Sequence, residues 1–179
     1  DSDCPECGSP FIKFSGAGTE KVEEFTKEMF PDHAVERLDL DTAKNNREIN
    51  RIVNSFSRGK TDILVGTQLV AKGLDFKNVG LVGVISADVS LNIPDYRSTE
   101  RTFQLVTQVA GRAGRGDREG RVIVQTFTPD NFALTSAARH DYRGFYNKEI
   151  QVREYMNYPP FTDLIMVEFT ATDEALAVN

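Results

Sequence analysis

Residues 61–85, TDILVGTQLVAKGLDFKNVGLVGVI, hold two short apolar runs, Ile63–Val65 and Leu81–Ile85, on either side of a segment rich in glycine and polar residues. Neither run alternates apolar with polar side chains, as a strand with one wet face does. Both read as strands buried on two faces, the habit of parallel sheets. Val122–Phe127 repeats the pattern, and Val35–Leu38 is a fourth β-like run. Helical spacing fills the intervals. Thr19 is placed to cap a helix with Val22, Phe25 and Met29 on its apolar side, stopped before Pro31. Ile49, Ile52, Val53 and Phe56 mark a second helix, with Gly59 just past its end. A third begins near Ser98 and runs through Phe103, Val106 and Val109 into the Gly111–Gly116 region. Strands alternating with helices predict an open parallel α/β sheet wound on both faces, with ligands gathered at the carboxyl ends of its strands.

The chain has 179 residues, 40% hydrophobic and 27% charged, proportions that suit a globular domain with a real core. No apolar run nears the roughly 20 residues of a membrane span, and Asp1-Ser2-Asp3 does not begin a signal peptide. Residues 1–50 hold 12 acids and 6 bases, so they carry the whole net charge of -6 and the remainder balances. A self-sufficient nucleic-acid binder shows a basic surface. Any nucleic-acid contact here is therefore expected to be local, or shared with other protein. Cys4 and Cys7 are too few for a disulfide framework and have the spacing of a metal knuckle in a reducing compartment. Structural zinc takes four ligands, so the pair reads as half a site, with His33 and His140 far off in sequence and His33 a surface loop residue.

The two ends have a different character. Cys4-Pro5-Glu6-Cys7-Gly8 opens abruptly, and Asp163–Thr172 has the pattern of a strand followed only by a helical stub at Glu174–Val178. Tyr158-Pro159-Pro160-Phe161 reads as a rigid junction after a helix over Arg143–Met156. One α/β domain with a remnant of a neighbour on each side is the expected organisation.

The chemistry concentrates in two segments. In Gln108-Val109-Ala110-Gly111-Arg112-Ala113-Gly114-Arg115-Gly116, a helix continuing to the end would set Gln108, Arg112 and Arg115 on one face. Gly111 and Gly114 would let a ligand approach the backbone. Residues 97–121 hold six arginines against three acids, so local pairing cannot satisfy them all. Unpaired guanidiniums converge where there is phosphate, which their planar fork matches. The plainer reading is a salt-bridged surface helix. The second segment, Val65 to Phe76, leaves the carboxyl end of a strand with a Gly66-Thr67-Gln68 turn, then Lys72-Gly73 and Asp75. Hydroxyl and backbone amides there suit a phosphodiester, and Asp75 suits a ribose hydroxyl; a well-capped strand-to-helix turn is the alternative. Gly59-Lys60-Thr61 ends like a phosphate-binding loop, but Asn54 stands where the first glycine belongs and a strand follows rather than precedes it. With no other such loop in the chain, these arginines serve a nucleotide site completed elsewhere, or none.

These motifs resemble a known family. Thr67-Gln68 through Phe76 looks like motif V, and Gln108–Gly116 like motif VI, of superfamily-two helicases. Gly16-Ala17-Gly18-Thr19-Glu20, Phe30-Pro31, Arg37-Leu38-Asp39-Leu40-Asp41-Thr42 and Ala71-Lys72-Gly73 resemble the primosomal replication-restart helicases more specifically. So do Ala87-Asp88, Pro94-Asp95-Tyr96-Arg97, Glu100-Arg101 and Tyr158-Pro159-Pro160-Phe161.

The resemblance implies a RecA-like, P-loop-NTPase-type second helicase lobe over residues 11–157. Residues 1–10 would be the C-terminal remnant of a zinc-binding module, and 158–179 the start of a truncated C-terminal domain. It implies ATP and Mg²⁺, bound mainly by a first lobe that this chain lacks, and Zn²⁺ in the full-length protein rather than here, with Cys4 and Cys7 as its ligands. By motif, Arg115 is the arginine finger, Arg112 couples nucleotide state to lobe movement, and Gln108 orients the attacking water or γ-phosphate. Gly73 and Asp75 line the nucleotide side. Thr67, Gln68, Gly18, Thr19 and Arg97 contact the DNA backbone, with Arg101 a further phosphate contact. The implied partners are single-stranded and forked DNA, primosome and replication-restart proteins, and the first helicase lobe of the same chain. The implied location is the bacterial cytoplasm, at the nucleoid, with no membrane role. The alternative from another class is a non-catalytic α/β adaptor binding DNA or protein through the arginine-rich helix.

Overall fold

The computed structural model describes residues 18–39, 46–67, 70, 76, 79–111, 113 and 120–167. In chain order its elements are α1 (Thr19–Met29), β1 (Val35–Leu38), α2 (Asn46–Ser57), β2 (Ile63–Gly66), β3 (Leu81–Val84), α3 (Ala87–Leu91), α4 (Ser98–Ala110), β4 (Arg121–Val124), α5 (Phe132–Ala138) and α6 (Tyr142–Tyr155). β1 pairs with β2 from Val35↔Ile63 to Leu38↔Gly66, and β3 with β4 from Leu81↔Arg121 to Val84↔Val124, both parallel. This is the expected α/β class, although among the described residues the strands form two two-stranded sheets rather than one. No helix of the described residues is long and apolar enough to cross a membrane.

The core lies under β3 and β4. Phe103 and Val106 of α4, Ala133, Leu134 and Ala137 of α5, Phe145 of α6 and Ala87 of α3 are all buried, with Val84 and Val124 packed against them. The Phe103 and Phe145 rings stack at 4.1 Å, and Phe132 adds a third ring 5.7 Å from Phe145. Helix starts are fixed by side chains: Asn131 accepts from the Ala133 N–H and Asp141 from the Gly144 N–H. Helix α2 ends as its sequence demands. Gly59 takes φ +67°, its N–H bonds to the Phe56 carbonyl, and the Lys60 N–H reaches back to Ser55 in a Schellman closure.

Four expectations need correction. The inward stripe of α1 is Thr19, Val22, Glu23 and Thr26, all half-buried, while Phe25 and Met29 are 62% and 63% exposed. The reason is polar: Arg37 on β1 bridges Glu23 (3.1 Å) and Asp39 (3.2 Å), and these ions turn the helix so that its aromatic side faces out. Thr19 is also not the cap. Gly18 holds that position, and the Thr19 hydroxyl donates instead to the carboxylate of buried Asp39. Next, β3 and β4 are not covered on both faces: Val82, Val84, Val122 and Val124 are half-buried, whereas Leu81, Ile85 and Ile123 on the other face are exposed. Last, Asp163–Val167, the described part of the expected strand Asp163–Thr172, has no strand pairing among the described residues and is exposed throughout.

Candidate functional site

The carboxyl ends of β1 and β2 lie side by side, because Leu38 is in register with Gly66. This approach demands glycine: a Cβ on Gly66 would overlap the Leu38 carbonyl oxygen and Val70 Cγ2. Thr67 follows at once, exposed, its carbonyl accepting from the Val70 N–H at 3.0 Å. Asp39 follows Leu38 on the neighbouring strand and takes the Thr19 hydroxyl, which draws the start of α1 to the same edge. Gly18, Thr19 and Thr67 thus share one rim. A Cβ on exposed Gly18 would meet open space, and Gly18, as the cap, has no side chain to give to the first-turn amides of α1. Gln68, Gly73 and Asp75 lie outside the described residues.

Helix α4 carries the second segment. Val106 and Val109 turn into the core and leave Gln108 exposed near the carboxyl end. The helix stops at Ala110, where the Gly111 N–H closes on the Thr107 carbonyl at 3.0 Å. The helix thus runs from Ser98 to the edge of the Gly111–Gly116 region, as expected, and Arg112 and Arg115 lie outside the described residues. A Cβ on Gly111 would make only ordinary contacts with the Thr107 and Gln108 carbonyls of its own helix.

Arg97 precedes α4, about 16 Å along the axis from Gln108, so these two predicted residues are not neighbours. Its Nε and Nη2 donate to Asp95 at 3.2 and 3.3 Å, and Arg101 shares that carboxylate at 2.9 Å. The Arg97 hydrogen bonds and the Arg101 charge hold the Asp95 carboxyl below the ordinary carboxylate value. Both guanidiniums on this one acid remain half-exposed. His33 is an exposed loop residue as expected, 3.6 Å from Asp62.

Sequence reasoning missed two arrangements. Asp88, at the start of α3, accepts the Phe127 N–H and the hydroxyls of Thr126 and Thr128, fastening the exit of β4. Burial opposes its ionisation, but those donors outweigh it and keep the carboxyl below its ordinary value. The other is Arg153 of α6, whose Nη2 donates to Glu100 of α4 at 2.7 Å and whose Nε donates to Glu149 at 2.9 Å. The only local signal for it was the Glu149/Arg153 spacing of four on a helix. Among the described residues, no cluster of three or more His, Cys, Asp or Glu side chains is arranged to hold a metal. Cys4 and Cys7 lie outside those residues.

Residues 10–117 match the helicase conserved C-terminal domain, and the chain belongs to that family. With it goes the RecA-like helicase-lobe class expected from the sequence. Within this class the chain is 48% identical, over 97% of its length, to the replication restart protein PriA of Bacillus subtilis. It is 47% identical over 96% to that of Synechocystis, and 40% identical over 98% to that of Haemophilus influenzae. The chain spans only 22%, 21% and 24% of the length of these three relatives.

Proposed function

We propose that this chain is the second motor lobe of an ATP-dependent DNA helicase of replication restart, acting with a P-loop lobe on single-stranded and forked DNA alongside primosome proteins. The observation that supports it most is the rooting of α4. Phe103, Val106 and Val109 fix the helix in the core, and its end at Ala110 and Gly111 opens into the Arg112–Arg115 segment inside the family match.

On this reading Arg115 enters the nucleotide site as the arginine finger and neutralises charge that builds up only in the transition state, worth about 10³–10⁵ in rate. Arg112 senses the nucleotide, Gln108 orients the attacking water, and Gly73 and Asp75 line the nucleotide side of the cleft. Thr67, Gln68, Gly18 and Thr19 hold DNA phosphates at the β1–β2 rim. Thr19 does so by its amide, since its hydroxyl is given to Asp39. Arg97 and Arg101, half-exposed around Asp95, offer a further phosphate contact. Closure over ATP and opening after hydrolysis move the lobes along the strand. Mg²⁺ belongs with the other lobe's acids, so none of these steps passes through it. Two thiols do not complete a zinc site, which takes four ligands.

In the full-length protein carrying this chain, Arg115→Ala lowers DNA-stimulated ATP hydrolysis at least about 10³-fold while ATP binding persists. The 179-residue chain alone shows negligible hydrolysis. Normal turnover by the Arg115→Ala protein would refute the assignment.

A further inference from the structure

Arg153 makes more contacts than a helix needs. An i,i+4 pair with Glu149 would suffice to settle it on α6. Instead its Nη2 bonds to Glu100 in the first turn of α4, and its guanidinium lies over the Tyr96 ring at 5.3 Å. Its Nη1 comes within 3.5 Å of the Pro159 carbonyl. Tyr96 in turn lies 5.7 Å from the Tyr158 ring. One side chain, only 14% exposed, therefore joins three segments: the turn that starts α4, the end of α6, and the Tyr158–Phe161 junction. Solvent screens the Arg153–Glu149 pair, 14% and 10% exposed, only weakly, which anchors the guanidinium on α6.

The other end of α4 is the Gly111 exit toward Arg112 and Arg115. The helix has 13 residues and is about 20 Å long, packed along its length on α5 and α6. We propose that Arg153 is a positioning residue that couples α4 to the Tyr158–Phe161 junction, so that a displacement of the arginine end of α4 by nucleotide is passed to the chain beyond residue 161. This rests on the motor reading above and adds to it the route by which hydrolysis is turned into strand separation.

The test compares Arg153→Lys, which keeps the charge but not the planar fork, with Glu100→Gln, which takes the charge from the α4 arm. Glu100→Gln keeps an acceptor for Arg153 and Gln104 but removes the charge of the α4 arm, and both variants are made in the full-length protein carrying this chain. DNA-stimulated ATP hydrolysis is expected to stay within about threefold of the parent, while base pairs opened per ATP fall about tenfold. Hydrolysis and unwinding falling by the same factor would mark a merely structural contact and overturn the inference. So would an unchanged yield per ATP in both variants. Arg115→Ala is run in parallel to separate the two claims. If that variant hydrolyses normally, the motor reading fails and this inference with it. If it is inactive and the yield per ATP is nonetheless unmoved in Arg153→Lys and Glu100→Gln, only the coupling role is lost.

Discussion

Gly66→Ala tests how the β1–β2 rim is built. The new methyl would overlap two groups of different kinds. Val70 Cγ2 ends a side chain and can rotate away. The Leu38 carbonyl oxygen is backbone on a fully buried residue, in register with Gly66 and followed by Asp39, which holds Thr19 and Arg37. Relief must therefore come from parting the two strands at their carboxyl ends. Overpacking of this kind costs about 1–3 kcal/mol, and the lower entropy of the unfolded alanine chain offsets only about 0.4–1 kcal/mol of it. A net loss of about 1–2 kcal/mol at a urea slope of about 2 kcal/mol/M lowers the midpoint by about 0.5–1 M. Gly83→Ala is the control: it is also mid-sheet, but its Cβ would meet nothing within 4 Å, and it should unfold at or above the parental midpoint. Urea titration followed by far-UV circular dichroism measures both. Equal midpoints for Gly66→Ala and the parent, or an equal loss in Gly83→Ala, would refute the account of this rim.

Two other outcomes follow from the packing and the charges. Phe145→Ala removes a ring that is 3% exposed and stacked on Phe103, and should cost about 3–5 kcal/mol in the same titration, whereas Phe161→Ala, at a half-exposed position, should cost far less. Asp88 and Glu36 both hold folded pKa values below their ordinary ones, Glu36 because Thr61 and Arg51 outweigh its burial. Their stabilisation is full above about pH 4–5 and drains away as pH falls through the folded values. The urea midpoint should fall less steeply in acid for Asp88→Asn than for the parent; identical acid limbs would contradict the hydrogen-bonded bracket.

The strands and the main helices were legible because local signals agreed. Unalternated Val and Ile runs fixed the β3 and β4 positions, Gly59 fixed the end of α2, and Ser98 the start of α4. What was not legible depended on groups distant in sequence. Nothing near Thr19 announces that its hydroxyl goes to Asp39, or that Glu23 turns inward to meet Arg37 and sends Phe25 to the surface. The junction residues were visible as a motif, but only the fold brings Tyr158 to Tyr96 and Glu100 to Arg153.

The Asp88 bracket has a practical corollary. Three groups within Thr126–Thr128 converge on one carboxylate, so the backbone at Phe127 is pinned while its ring stands 90% in water. The chain contains no tryptophan. An indole installed at position 127 would be its sole long-wavelength fluorophore, mounted on an immobile base, and its emission colour would report directly whatever comes to shelter that edge of the sheet.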